Sequence, residues 1–433
     1  MSYNQSELTK KWAPVIDHPD LPKIADPYKR AVTAMLLESQ ARSNVETAQA
    51  ESGMLREDIT NQVGAGVTYT GNANLKGYDP ILIAMVRRLM PNLVAFDLCG
   101  VQPMSAPVGL IFALKSRYTS QAGDEALFQE AKTQYAGTGV HSAPLDPFDP
   151  ALSTGRPMSA AAGEQLGVLG GTAIAEMAFS IDRVSVTAKT RALKAEFTIE
   201  LQQDLKAIHG LDAETELANI LSNEINAEIN REVIRTIYLI AVAGAQQNVT
   251  VPGEFDVNLD SNGRWLVEKF KGLMYQLERD ANQIAKETRR GKGNIVLTSS
   301  DIASALSMAG LLDNATNLKD NLKVDDMGNT FVGTLNGRLD VYIDPYSITG
   351  STNFYVVGFK GKNAYDAGLF YCPYVPLQLV KALDPNTFQP KIGFKTRYGL
   401  VSNPFSNLAG NSDGALTANA NIYYRKVKVQ NLM

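Results

Sequence analysis

The sequence predicts a mixed α+β fold, and three of its features support this prediction. A long helical pattern covers residues 212–243, a second helical pattern covers 264–290, and a series of strand-like segments begins at 330. Helical and strand-like segments that occupy separate parts of a chain are typical of α+β proteins. The 433 residues suffice for two or three domains, and a hydrophobic content of 45% supplies a large core.

Residues 27–61 show a weak helical pattern. Val32, Met35, Leu36 and Val45 provide only a thin apolar stripe, and a glycine-rich stretch follows the pattern. A helix with so little apolar surface is expected to be an appendage rather than part of a core.

A low-complexity stretch lies between two strand-like segments. In residues 137–173, 23 of the 37 residues are Gly, Ala, Ser, Thr or Pro, so this stretch cannot bury enough apolar surface to fold alone. We expect a projecting loop that orders against a neighbouring molecule; a disordered linker is the alternative. The flanking segments, 93–118 and 180–188, are expected to pair as a long hairpin with the loop at its tip.

The helix at 212–243 is the most informative element. Glu214 and Glu216 in its first turn complement the helix dipole, and Gly244 supplies a stop signal. Apolar residues recur every four positions at Leu217, Leu221, Ile225, Ile229, Val233, Ile237 and Ala241. This spacing drifts against the 3.6-residue period, so the apolar face winds around the axis. The helix is therefore expected to be a spine that packs against different elements along its length.

The C-terminal half contains β-strand signals. Residues 330–344 alternate around Asn336-Gly337, the dipeptide most typical of a type I′ hairpin turn. Further strands are predicted at 353–361, 367–381, 392–400 and 421–429.

Charge and cysteine content argue against several classes of protein. The formal net charge of −4 offers no basic excess for tight nucleic-acid binding. Cys99 and Cys372 form no CxxC pair, so neither a thiolate metal site nor a redox centre is expected. Residues 1–27 lack the apolar stretch of a signal peptide, and no apolar run has the length of about 18 residues that spans a membrane.

The sequence contains none of three common catalytic motifs. HExxH, GxSxG and the P-loop pattern GxxxxGK[ST] are absent. The histidines His18, His141 and His209 lie in different segments, and only His209 is a candidate acid or base. The sequence predicts no catalytic residue, no metal ligand and no cofactor.

Three long stretches resemble the major capsid proteins of T-even-like tailed bacteriophages. They are residues 86–118, residues 189–233, and residues 353–405, which contain GFKGKNAYDAGLFYCPYVPLQ and DPNTFQPKIGFKTRYGLVSNPF. With weaker similarity between these blocks, the resemblance covers nearly all of the chain outside 137–173.

The resemblance implies the Hong Kong 97-type capsid fold, with an N-terminal arm, an extended E-loop, a peripheral (P) domain containing the spine helix, and an axial (A) domain. The implied boundaries are 1–57 for a scaffold-associated propeptide that is cleaved, 58–106 for the arm and the start of the P domain, 107–188 for the E-loop with its tip at 137–173, 189–245 for the P domain, 246–383 for the A domain, and 384–433 for strands that return to the P domain. Larger family members insert a folded domain in the E-loop, for which 137–173 is too short.

The resemblance also implies a function in assembly rather than catalysis. Subunits of this family form hexamers that tile an icosahedral shell around a scaffold, are cleaved by a prohead protease, and expand around double-stranded DNA. The expected partners are other copies of the chain, the vertex protein, the scaffold core and the prohead protease, with decoration proteins and a host chaperonin as further candidates. We expect the chain in the virion capsid after assembly in the host cytoplasm, in weak contact with DNA and with no membrane partner.

Three alternatives stay open. The chain could be the pentameric vertex protein of the same fold, or an encapsulin-like nanocompartment shell. A cytosolic enzyme that uses Cys99 or Cys372 with His209 is an alternative of a different class. The long matched blocks favour the hexamer-forming subunit, and an N-terminal segment expected to be cleaved argues against the encapsulin-like shell.

The resemblance further implies a cleavage site. The family's protease cuts after Glu in the pattern apolar residue, any residue, Glu, usually followed by Ala or Gly. The best-placed match is Leu55-Arg56-Glu57, although Asp58 replaces the small residue expected after the cut. Leu36-Leu37-Glu38-Ser39 also fits, but it lies inside the predicted helix, where cleavage would require unfolding.

Overall fold

A computed structural model describes residues 5–18, 24, 26–55, 86–87, 90, 93–127, 130–140, 154–167, 173–261, 263, 265–310, 312–314, 330–344, 353–361, 363, 366–384, 389–407 and 414–432. The helices within these ranges are α1 (Gln5–Ile16), α2 (Pro27–Leu55), α3 (Ala95–Leu98), α4 (Ala160–Glu164), α5 (Ile199–Ile208), α6 (Ala213–Ile240), α7 (Leu266–Thr288) and α8 (Ser300–Met308). The strands are β1 (Gly100–Val101), β2 (Val108–Tyr118), β3 (Met177–Thr187), β4 (Lys189–Glu196), β5 (Ala241–Ala243), β6 (Glu254–Asp256), β7 (Ile295–Thr298), β8 (Leu312–Asn314), β9 (Thr330–Leu335), β10 (Leu339–Ile343), β11 (Asn353–Gly358), β12 (Leu369–Leu383), β13 (Pro390–Ser402) and β14 (Asn421–Gln430).

The strands form three sheets, which confirms the predicted α+β class. A four-stranded sheet has the order β1-β12-β13-β4, and α6 packs against its strands β4 and β13. An eight-stranded sheet has the order β5-β14-β11-β7-β10-β9-β8, with β6 paired to β14, and α7 packs against β11 and β14. The third sheet is a two-stranded ribbon of β2 and β3.

The sheets do not follow the boundary expected at residue 383. Strand β12, which that boundary assigns to the A domain, pairs with β13 in the four-stranded sheet. Strand β14, which was expected to return to the P domain, pairs with β11 in the eight-stranded sheet. The chain therefore crosses between the sheets one strand earlier than expected and then crosses back, because strand pairing depends on contacts that local sequence does not record.

The predicted hairpin at the low-complexity loop is present and long. Strands β2 and β3 pair antiparallel over eleven residue pairs, from Val108↔Thr187 to Tyr118↔Met177. The base of this ribbon packs on the four-stranded sheet through a small second core. The core residues are Met104, Ile111, Val184, Val186, Phe370, Cys372 and Val401.

The predicted spine helix is α6, but it ends three residues before Ala243. Asp212 caps the N-terminus, where its carboxylate accepts a hydrogen bond from the Glu214 backbone N–H at 3.4 Å. Residues 241–243 form β5, which pairs in parallel with β14. Pairing with a strand from a distant part of the chain replaces the last helical turn that the local pattern predicted.

Helix α2, which covers most of the weak helical pattern at 27–61, is not the appendage expected from its thin apolar stripe. The first half of α2 packs against α1 and β12, and Leu36 and Leu37 are fully buried there. Thr33 and Gln40 are buried beside them with their polar groups satisfied: the Thr33 hydroxyl donates to the Lys29 carbonyl, and the Gln40 side-chain carbonyl accepts from the Leu377 N–H at 3.2 Å. Polar residues complete the buried face, so apolar periodicity alone underestimates it.

The hairpin at Asn336-Gly337 is confirmed. Both residues have positive φ, 52° and 63°, and the Arg338 N–H donates to the Leu335 carbonyl at 3.1 Å. Among the described helices, none combines the length and the apolar character that a membrane span needs.

Candidate interaction surfaces

The outer face of the β2–β3 ribbon is apolar and uncovered. Antiparallel pairing places alternate residues of both strands on this face. Its large apolar residues, exposed by 47% to 68%, are Val108, Leu110, Phe112, Leu114, Met177, Phe179 and Ile181. A two-stranded ribbon is marginally stable in water without packing on its faces. This surface is therefore a candidate interface.

The inner face of the ribbon is already engaged within the chain. Lys115 and Asp182 form an ion pair at 2.8 Å there, and the Lys115 ammonium lies 5.0 Å from the centre of the Phe405 ring. Ile111 and Val184 are buried in the second core. The two faces thus differ in function: the inner face anchors the ribbon, and the outer face is available.

Helix α5 is a second uncovered element, and sequence analysis did not predict it. None of its residues is buried, although Leu205 packs partly against the main core. Leu201 and Ile208 are 48% and 73% exposed. The sequence signal for this helix was Thr198, whose hydroxyl caps it by accepting from the Leu201 N–H at 3.2 Å.

The described part of the 137–173 segment has local structure. Thr138 and Arg156 form an antiparallel bridge with backbone hydrogen bonds of 2.8 and 2.6 Å. Ser159 caps the short α4, and no residue of α4 is buried. These contacts fit a projecting loop, whereas residues 141–153 and 168–172 lie outside the described part.

A third apolar surface surrounds the start of α7. Val251, Leu259 and Trp265 are 50%, 68% and 73% exposed. The carboxylates beside them already have partners within the chain. Glu268 accepts from the Trp265 N–H, and Asp260 accepts from the Thr250 N–H and hydroxyl at 2.8 and 2.7 Å.

Ionic contacts tie the spine helix to both sheets. The Arg191 guanidinium of β4 bridges Glu228 and Glu232 of α6 at 2.5 Å each, and it donates to the Tyr398 hydroxyl at 3.0 Å. These contacts hold α6 on the four-stranded sheet, beside a cavity of about 830 Å³ at the base of the ribbon.

A second ionic contact holds α6 on the eight-stranded sheet. The buried Asp344 carboxylate binds the Arg231 guanidinium of α6 at 2.5 Å and accepts a hydrogen bond from the Tyr238 hydroxyl at 2.9 Å. Asp344 directly follows β10, so this pair joins the spine helix to the eight-stranded sheet. The Asp344 carboxylate is 1% exposed and depends on Arg231, because without this partner its buried charge would be uncompensated.

A second buried carboxylate belongs to α7 itself. Asp280 accepts hydrogen bonds from the Ala245 N–H and the Tyr355 hydroxyl, each at 2.9 Å, and from the Gln276 amide at 3.3 Å. Burial nevertheless raises the pKa of Asp280, because removal from water disfavours the charged form more than these bonds favour it.

The structure does not bring together the residues that the enzyme alternative would require. Cys99 and Cys372 are both buried, in different core clusters, whereas His209 is exposed at the end of α5. Burial raises the pKa of each thiol to about 12, so neither supplies a thiolate nucleophile. Among the described residues, no cluster of His, Cys, Asp or Glu could hold a metal ion.

The expected cleavage site lies at the limit of the described chain. Leu55 is the last residue of α2, and Glu57 and Asp58 lie outside the described residues. The competing bond after Glu38 is well protected, since Leu36 and Leu37 are fully buried. The Glu38 carboxylate accepts from the Lys11 ammonium at 2.7 Å and from the Trp12 ring N–H at 2.9 Å.

Comparison with known proteins gives a consistent result. The chain matches the family Major capsid protein Gp23 over residues 75–429. It is 37% identical to the major capsid protein of Serratia phage KSP90, with 98% of both chains covered, and 32% identical to that of Enterobacteria phage T4, with 99% of both covered. The capsid vertex protein of Enterobacteria phage T4 is 26% identical, but only 54% of each chain is covered.

Solved structures give weaker likenesses. The capsid of Myoviridae phage XM1 is 8% identical with a TM-score of 0.40, covering 78% of this chain and 92% of that one. The capsid of an empty GTA particle is 13% identical with a TM-score of 0.37, covering 88% and 97%. TM-scores this low add nothing to what the sequence relatives show.

Proposed function

The chain belongs to the Major capsid protein Gp23 family, and from this premise we propose that it assembles into hexameric capsomers that tile an icosahedral head around double-stranded DNA. As a major capsid protein it forms the head shell and is a structural protein rather than an enzyme. Hexamers, processing and the Hong Kong 97-type division into arm, E-loop, P domain and A domain are parts of the proposal.

The uncovered outer face of the β2–β3 ribbon is the observation that carries this proposal. Seven large apolar side chains on one ribbon form a surface that a soluble monomer would rarely leave in water. In a shell built from many copies of one chain, another copy is the partner always at hand. The ribbon therefore acts as an arm that joins subunits.

Assembly of purified protein tests this role. Replacement of Phe112 and Ile181 by serine keeps the inner face intact, so the variant should fold. It should form no capsomers in negative-stain images or sedimentation, because the apolar contact is lost. The matched control is Met308→Ser, which removes a similarly exposed apolar residue from α8. Normal capsomers from the ribbon variant would refute the role of the ribbon.

The same images discriminate between the alternatives. Six-fold capsomers support the proposal, and exclusively five-fold capsomers support the vertex-protein alternative. Similarity to the capsid vertex protein over about half of the chain makes that the alternative with the most support. Shells without DNA that form and persist without proteolysis would favour an encapsulin-like compartment.

Maturation by cleavage after Glu57 is the second part of the proposal. Leu55 is the last residue of α2, and the bond after Glu57 lies outside the described residues, whereas the bond after Glu38 is held inside the packed helix. The proposed partners are the vertex protein, the scaffold core, the prohead protease, decoration proteins and a host chaperonin. Assembly would take place in the host cytoplasm, with weak contact to DNA because the net charge is −4.

A further inference from the structure

The outer face of the β2–β3 ribbon carries a single charge within its apolar surface. Arg183 lies directly opposite Phe112 in the antiparallel register, with Leu110 before this pair and the pair Leu114↔Ile181 after it. Arg183 is exposed, and no ion pair joins it to another described residue. Along the length of this face, an apolar position is therefore followed by a cationic one and then by another apolar one.

Helix α5 carries the opposite pattern. Leu201, Asp204 and Ile208 occupy positions i, i+3 and i+7, which lie on one side of a helix. All three are exposed, and Asp204, like Arg183, has no ion pair among the described residues. This stripe reads apolar, anionic, apolar. A ten-residue helix with no buried residue is also marginal in water and gains stability from a covering partner.

The two patterns also agree in length. Leu110 and Leu114 are four residues apart on a strand, or about 13 Å. Leu201 and Ile208 are seven residues apart on a helix, or about 10 Å. In both elements the charge lies between the two apolar ends. The ribbon can thus cover the helix with its apolar residues in contact and the opposite charges together.

We propose that the outer face of the ribbon of one copy docks on α5 of a second copy, with Arg183 of the first copy paired to Asp204 of the second. This inference rests on the proposed function, since it requires copies that assemble. The surface around Trp265 fits the ribbon less well. Its carboxylates, Glu268 and Asp260, already accept hydrogen bonds within the chain, so they gain less from Arg183 than Asp204, which has no ion pair among the described residues.

Mixed cross-linking tests the contact directly. Copies carrying Arg183→Cys are mixed with copies carrying Asp204→Cys, assembled, and oxidised. The native Cys99 and Cys372 are buried and do not compete. A disulfide-linked dimer should form only between the two kinds of copy. The matched control replaces Asp204→Cys by Gln203→Cys, which is also exposed but lies about 100° around the helix from Asp204.

Charge reversal gives an independent readout. Arg183→Glu alone and Asp204→Arg alone should each weaken capsomer assembly by about tenfold or more, because like charges then meet at the contact. The chain that carries both changes should recover most of the loss. The control Lys206→Glu reverses an exposed charge on the other side of α5 and should leave assembly unchanged.

The outcomes separate this inference from the proposed function. Wild-type capsomers, together with equal cross-linking at 203 and 204 or a double variant no better than the single ones, would overturn the docking assignment alone. Failure of the wild-type chain to form capsomers under any assembly condition would overturn both. Selective cross-linking at 204 and recovery in the double variant would establish the contact.

Discussion

Individual residues explain several features through backbone conformation and burial. At the β9–β10 turn, Asn336 and Gly337 hold the positive φ angles that a type I′ turn requires, and the space beside Gly337 is open. At Asp280, three hydrogen bonds do not fully replace the water that burial removes. Each of these residues leads to a measurement at a single position.

Gly337→Val should destabilise the protein by about 1–3 kcal/mol, since a β-branched residue is strained at a φ of 63°. No neighbouring atom lies within 4 Å of the added Cβ, so the loss would come from backbone strain rather than from a clash. Gly337→Asn is the control, because Asn tolerates the left-handed region. Chemical denaturation measures the difference, and identical stability of the two variants would contradict the turn assignment.

Asp280 should make the folded state less stable as the pH rises. Its pKa is higher in the folded chain than in the unfolded chain, so above about pH 4 the folded state binds more protons, and the free energy of unfolding falls until the folded pKa is passed. Asp280→Asn removes this titration. The stability of wild type relative to Asp280→Asn should therefore decline from about pH 4 upward. A constant difference between the two over that range would show that Asp280 does not titrate abnormally.

At the scale of elements, the N-terminal helix shows how packing exceeds what periodicity predicts. The side chains of α2 contact β12 directly: the Ser39 hydroxyl donates to the Tyr374 carbonyl at 2.6 Å, and the Gln378 amide donates to the Ser43 hydroxyl at 2.6 Å. Strand β12 has irregular pairing with β13 between Pro373 and Gln378. Through Ser39 and Gln40 the helix therefore binds the Tyr374 carbonyl and the Leu377 N–H, two backbone groups within this irregular stretch.

Leu37→Ala should destabilise the uncleaved chain by about 2–5 kcal/mol, the range for truncating a fully buried leucine. The appendage hypothesis, in contrast, predicts almost no effect. Ala41→Gly, a change to a partly buried residue one turn later, controls for loss of helix propensity and should cost about 1 kcal/mol. Thermal unfolding of the full chain compares the two; equal small shifts would restore the view of α2 as an appendage.

At the scale of the whole molecule, the proposed removal of residues 1–57 would require more than the cutting of one bond. The buried side chains of this segment, including Trp12, Ile16 and Leu36, belong to the main core cluster. Cleavage after Glu57 would leave the fragment packed in place until these contacts open. A large rearrangement of the subunit would then release it, and the original packing could not re-form once the fragment had diffused away.

Peptide mass spectrometry of mature particles should find a chain that starts at Asp58 and few peptides from 1–57. Particles stopped before expansion should still retain the cut fragment, because its core contacts persist without the covalent link. Matched samples of uncleaved particles provide the control. A mature start at Ser39, or abundant N-terminal peptides in expanded particles, would show that the site or its timing is wrong.

The sequence alone determined the features that depend on neighbours along the chain. The α+β class, the spine helix, the turn at Asn336-Gly337 and a hairpin between the segments 93–118 and 180–188 follow from local periodicity and turn chemistry, although the pairing is confined to 108–118 and 177–187. Family membership also follows from the sequence, since the matched blocks span most of the chain.

Tertiary structure decided the rest, because burial and pairing depend on residues far apart in sequence. Only the fold shows that Thr33 and Gln40 of α2 are buried. It also shows that β12 belongs to the four-stranded sheet and β14 to the eight-stranded sheet, and that residues 241–243 form a strand instead of a last helical turn. The fold also distinguishes the two faces of β2, because apolar residues occur at both the even and the odd positions of this strand. Ile111 enters a core while Phe112 stays in water, and the packing of one face and not the other creates the surface through which copies are proposed to meet.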